Sequence, residues 1–178
     1  KSFITIEDLA KLRVVGDPQM SPDRTRVIFT VKDSDLEKNK YITHLWMYDS
    51  KSRAATQFTF GDASESSPRW SSDGKHLAFL RNKDKRTQIW RVDANGGEAS
   101  QVTNMPEGSI GEVRWSRDGM RFAFTYRPAH EDWTRDAAKK REESGKSNPP
   151  RVITRARYRA DGIGFVEEHT HVWVCDAR

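Results

Sequence analysis

Arg155, Arg157 and Arg159 alternate along a segment that reads as extended, and on a strand that spacing puts all three on one face. A guanidinium fork matches carboxylate or phosphate, so the row is a candidate anion holder. Pairing with acidic side chains of a neighbouring unit accounts for it equally well. His169 and His171 would share a strand face with Cys175, and zinc accepts such ligands. A site needs a third or fourth ligand that the sequence does not locate, and His171 stands where His44 and Gln88 stand in related segments, so no metal is expected. Gly108-Ser109-Ile110-Gly111 has the wrong spacing for a nucleophile elbow and reads as a loop. There is no Walker loop, and Gly162-Ile163-Gly164 lacks the third glycine and the strand-to-helix setting of a dinucleotide fingerprint. No catalytic residue and no cofactor is assigned, and the chain alone is expected to be inactive as a hydrolase.

The elements that would position these residues repeat. Trp70-Ser71-Ser72-Asp73-Gly74 followed by Leu77-Ala78-Phe79-Leu80 has a close copy in Trp115-Ser116-Arg117-Asp118-Gly119 followed by Phe122-Ala123-Phe124-Thr125. Met20-Ser21-Pro22-Asp23 with Val27-Ile28-Phe29-Thr30 is a more worn copy. Each reads as strand, tight turn, strand. A third element follows at Leu45-Trp46-Met47, Ile89-Trp90-Arg91 and Val172-Trp173-Val174, and a fourth at Ala55-Thr56-Gln57-Phe58-Thr59 and Ala99-Ser100-Gln101-Val102-Thr103. Trp46 to Trp90 and Gln57 to Gln101 are 44 residues apart, and Trp70 to Trp115 is 45. Four strands at this period mark β-propeller blades.

The predicted fold is all-β: a partial propeller of about three four-stranded antiparallel blades, at about 17–59, 67–103 and 112–178, within residues 16–178. Apolar residues on both faces of the second strand imply sheets stacked blade on blade, with Trp70 and Trp115 as wedges between them. The loops Lys32–Lys40 and Asn82–Arg86 are expected as polar hairpin tips. In the third unit Trp115 and Trp173 are 58 residues apart against 20 for Trp70 and Trp90, so an insert occupies about 127–165. Within it Glu131 with Arg135, Asp136 with Lys140, and Lys139 with Glu143 are opposite charges four apart, which supports a solvent-facing helix stopping at Gly145.

Residues 1–15 form a separate N-terminal segment, where Thr5 to Leu12 read as a short capped helix with Leu9 and Leu12 on one side. Such a helix is too short to stand alone. Glu7, Leu9 and Leu12 are therefore candidates, with the arginine row, for contact with a partner domain or substrate.

The chain of 178 residues is 35% hydrophobic and 32% charged, which suits thin strands with wet edges. Its net charge of +5 comes from basic residues interleaved with acidic ones, so nucleic acid is not an expected partner, and with no run approaching the roughly 20 apolar residues of a membrane helix neither is a membrane. Cys175 is the single cysteine, which excludes an internal disulfide and favours the cytoplasm; the first residue is not Met, and a removed leader would make the chain periplasmic instead.

The motifs at 70–79, 89–93 and 96–103 resemble the propeller repeats of prolyl oligopeptidase family serine peptidases. The acylaminoacyl-peptidase branch fits best, through the Thr-Ile-Glu-Asp-Leu opening at 5–9 and the Arg-Tyr-Arg-Ala-Asp-Gly-Ile-Gly-Phe insert at 157–165 ahead of His-Val-Trp-Val at 171–174. The Tol envelope propellers share the repeat motif. The resemblance implies a seven-bladed propeller capping an α/β-hydrolase domain, whose Ser-Asp-His triad lies in a C-terminal part outside this chain. The implied role is a gate for short or N-acylated peptides, with that hydrolase domain and peptide substrate as partners. The alternative is a stand-alone propeller for protein interaction. Either way the incomplete ring is expected to self-associate through its open blades or to be held by the rest of a parent protein.

Overall fold

A computed structural model describes residues 3–83, 86–153, 159–160, 164–165 and 168–177. A short helix, α1 (Ile6–Ala10), precedes the first blade, which is built from β1 (Val14–Met20), β2 (Arg26–Asp35), β3 (Lys40–Asp49) and β4 (Ala54–Gln57). The second blade comprises β5 (Ser64–Trp70), β6 (His76–Lys83), β7 (Arg86–Asp93) and β8 (Ser100–Gln101). In both, the strands neighbour one another in chain order and antiparallel. The third blade pairs β9 (Gly108–Trp115) with β10 (Arg121–Pro128). Its insert follows as a 3₁₀ turn (Glu131–Trp133), α2 (Arg135–Glu143) and the two-residue ladder β11 (Arg159–Ala160) and β12 (Gly164–Phe165), before β13 (His171–Asp176) returns to the edge beside β10.

The repeated Ser-x-Asp is a turn that closes on itself. The Ser71 hydroxyl donates to Asp73 Oδ1 and accepts from the His76 amide, while Asp73 Oδ1 also accepts from the Lys75 amide. Ser116 with Asp118 and Ser21 with Asp23 make the same bonds. Gly74 and Gly119 take the left-handed position of the turn at φ 69° and 70°, and Arg24 holds it in the worn copy at φ 60°.

The first strands of the blades begin at Val14, Ser64 and Gly108, earlier than the sequence-based starts at 17, 67 and 112. Gly16-Asp17-Pro18 lies inside β1 and not at its start. The reason is a bulge: Asp17 and Ser67 each precede a proline at positive φ, and the register slips between Gly16 and Gln19 and between Ser66 and Arg69. The loop expected over Lys32–Lys40 shrinks to four residues, because pairing continues through Asp33 with Ile42, Ser34 with Tyr41 and Asp35 with Lys40. The second loop shortens likewise, with Asn82 paired to Thr87 and Lys83 to Arg86. Gly108-Ser109-Ile110-Gly111 is strand, not loop. A Cβ on Gly108 would come within 2.5 Å of the Arg127 carbonyl, so the glycine permits close approach of β9 to β10. In the insert, Thr134 caps α2, which leaves Glu131 in the preceding turn and out of helical register with Arg135. The exposed Lys139–Glu143 pair forms at 3.8 Å.

Two layers of core lie between blades. Ile28, Leu45 and Met47 of the first meet Leu77, Phe79 and Val92 of the second. Ala78, Leu80 and Ile89 on the other face of the second meet Ile110, Val113, Phe122, Phe124 and Tyr126 of the third. The tryptophan wedges also hydrogen-bond across the seams: Trp70 Nε1 donates to the Gln19 carbonyl and Trp115 Nε1 to the Arg69 carbonyl, both at 3.0 Å. Arg69 adds an ion pair to Asp17 at 2.9 Å. The two-faced burial expected of the second strand holds in the middle blade, whereas Ala123 in the third is exposed because no further described sheet covers that face.

Candidate functional site

Of the residues singled out by sequence, Arg159, Leu9 and Leu12 are described. Arg155 and Arg157 lie outside the described residues, as does the Glu7 side chain. Arg159 is exposed in β11, its guanidinium 5.8 Å from the Phe165 ring centre. Leu9 and Leu12 are 57% and 61% exposed at the chain's start, far in sequence from the insert. A shallow cleft of about 260 Å³ runs between Leu9 of α1 and Leu36 and Tyr41 at the tip of the β2–β3 hairpin. His169 and His171 rings stand 6.3 Å apart, and no group of three or more His, Cys, Asp or Glu able to hold a metal occurs among the described residues. Cys175 is half-buried against the core; burial, with Asp176 second, pushes its thiol pKa up and disfavours the nucleophilic thiolate.

The polar groups that converge sit on the seams. Glu65 of β5 is enclosed between the first two blades with its side chain 0% exposed. Its Oε2 accepts from the Thr59 hydroxyl at 3.0 Å and lies 2.9 Å from His44 Nδ1, while Oε1 accepts from Arg81 Nε at 3.1 Å. The next seam has an uncharged counterpart. There Gln88 Oε1 accepts from the Thr103 hydroxyl and the Met105 amide, and Gln88 Nε2 donates to the Met105 carbonyl. In both blades the threonine hydroxyl caps the Leu45 or Ile89 amide at 2.9 Å, and Gln57 or Gln101 braces the same threonine through its carbonyl. This explains the recurring Gln-x-Thr and shows His44 and Gln88 as structural groups.

Arg81 ties this buried cluster to a cleft of about 530 Å³ between the second blade and α2. It stacks on Trp90 at 4.5 Å while holding Glu65, and so forms a fixed positive floor. Arg86 and the Gln101 and Asn104 side chains line the blade side, and Arg135, Asp136 and Lys139 line the helix side. α2 is anchored there through Glu107, whose Oε2 accepts from the Arg135 amide at 2.8 Å. Sequence reasoning paired the helix charges with one another and missed the cleft; the usable signal was Arg135 and Lys139 four apart, on one helical face.

With this geometry established, residues 6–150 match PD40, the TolB beta propeller domain family. The chain belongs to this propeller family. Among its relatives, the uncharacterized peptidase YuxL of Bacillus subtilis is 30% identical over 93% of this chain and 25% of its own length. The acylaminoacyl peptidase of Pyrococcus horikoshii superposes with TM-score 0.74 at 25% identity, over 94% of this chain and 24% of that one. An acylaminoacyl peptidase in complex with Z-Gly-Gly-Phe-chloromethyl ketone gives TM-score 0.75 at 25% identity, over the same shares. The chain thus spans about a quarter of the length of these relatives, and the likeness falls on its propeller blades.

Proposed function

We propose that these blades belong to the propeller of an acylaminoacyl-peptidase-type serine peptidase, gating the access of short or N-acylated peptides to an α/β-hydrolase domain. The observation that carries this is the extent of the match: 93% of the chain aligns with a peptidase at 30% identity, insert included. Two surfaces support it. The apolar side chains of Phe3, Ile4, Leu9 and Leu12 are exposed around α1, as a docking segment for another domain would be. The outer face of the third blade presents Val172 and Val174, which are suited to a following blade. The TolB description of the family favours the second reading, a stand-alone interaction propeller.

The parent reading frame past Arg178 separates the two. A Gly-x-Ser-x-Gly followed by Asp and His supports the peptidase; a stop codon directly after further propeller repeats overturns it. The 178-residue chain itself is expected neither to label with a fluorophosphonate nor to hydrolyse acyl-amino-acid esters, since no nucleophile elbow is present in its sequence. Stoichiometric labelling would refute that expectation.

A further inference from the structure

We propose that the cleft between the second blade and α2 binds an acidic stretch of peptide, its carboxylates held between Arg86 and Arg135 and its backbone amides placed on Gln101 and Asn104. The charge balance points to an anion. Arg81, Arg86, Arg135 and Lys139 line the cleft against the single carboxylate of Asp136 among the described residues. Arg81 is committed to Glu65 and Trp90, but Arg86 and Arg135 form no side-chain ion pair among the described residues, and they stand on opposite walls. Lys139 lies one turn along the same helical face as Arg135, and its contact with Glu143 at 3.8 Å is exposed and weak. Two forked guanidiniums facing one space can take a carboxylate each or share one between them.

The remaining lining selects a peptide. Gln101 gives its Nε2 to the Thr103 carbonyl, leaving Oε1 as an acceptor, and Asn104 is exposed with both a donor and an acceptor. These match the N–H and C=O of a peptide unit. A nucleic acid fits less well: Arg81 already covers Trp90, so no open ring is left for a base to stack on, and Asp136 opposes a run of phosphates. The proposal does not depend on the hydrolase reading, and its failure would leave the reading-frame test untouched.

The test is isothermal titration of the 178-residue chain with a blocked tetraglutamate peptide, and in parallel with tetraglutamine, inorganic phosphate and oligothymidylate. Tetraglutamate is expected to bind roughly tenfold or more tightly than tetraglutamine, and more weakly as salt rises through the range where the screening length drops below about 10 Å. The double variant Arg86→Gln with Arg135→Gln should lose roughly tenfold in affinity with its melting temperature unchanged. Should that variant melt early, Lys139→Gln on the exposed helix serves instead, with a smaller loss in the same direction. Equal binding by variant and wild type overturns the site. Tighter binding of oligothymidylate overturns the peptide in favour of nucleic acid, and phosphate binding as tight as tetraglutamate reduces the cleft to a small-anion site.

Discussion

At the scale of the residue, the blades are punctuated by carboxylates whose charge the turns require. The Ser21 hydroxyl, followed by the Thr25 amide and hydroxyl, lowers the pKa of Asp23 from 3.8 to about 2; Asp73 and Asp118 are lowered by Ser71 and Ser116 in the same way. A folded pKa below the unfolded one stabilises the fold above the unfolded value, and that contribution disappears as pH falls through the folded one. Stability should therefore decline between pH 3.8 and about 2, and Asp23→Asn should flatten part of that slope in urea titrations read at several pH values. An unchanged slope would mean that the turn survives protonation. Glu65 is the opposite kind of carboxylate, buried and balanced by Arg81, Thr59 and His44. Glu65→Ala leaves the Arg81 guanidinium without its partner and should cost about 3–5 kcal/mol in chemical denaturation. A loss within the range of an exposed pair, under about 1 kcal/mol, would contradict the burial.

At the scale of the element, the wedge tryptophans set how one sheet meets the next. Trp115 packs on Phe122 of its own blade with ring centres 4.2 Å apart and donates to the Arg69 carbonyl, so one side chain joins β9 to β10 by ring contact and to β5 by a hydrogen bond. Trp115→Phe removes the donor and should destabilise by about 1–3 kcal/mol, measured as a shift of the urea midpoint without a change of slope. A neutral result would assign the seam to apolar contact alone. The helices are held differently. α1 has five residues and a capping box between Thr5 and Asp8, so it depends on packing rather than propensity, whereas α2 is fixed by Thr134 and Glu107 at its start.

At the scale of the whole molecule, the described blades stack in one direction and leave two unlike ends. The third blade exposes Val172 and Val174 at 74% and 62%, on a strand whose other face turns Trp173 and Cys175 towards Tyr126 and the core. Burying each such side chain is worth about 1.5–3 kcal/mol, and an uncovered edge recruits other strands. The chain is therefore expected to associate at micromolar concentration, giving masses above its 20.5 kDa in light scattering. Val172→Lys with Val174→Lys should shift it towards the monomer. A wild-type chain that stays monomeric and melts cooperatively would show that these faces tolerate water.

The repeats alone determined the strands, their order within blades and the inter-blade role of Trp70 and Trp115, because each rests on local alternation and on a period that recurs. The Gln-x-Thr brace was visible as a recurrence, although its bonds to Leu45 and Ile89 were not. Tertiary structure decided what depends on distant pairing. Asp17-Pro18 and Ser67-Pro68 look like the starts of blades until the partner strand shows them as bulges inside β1 and β5. Glu65 sits in the polar run Ser64-Glu65-Ser66, ahead of where local pattern starts the blade, and is fully enclosed only once His44 and Arg81 close over it. The cationic cleft joins Arg81 and Arg86 to Arg135 and Lys139 across some 50 residues of sequence, and no local period encodes where an insert's helix lands on the neighbouring blade.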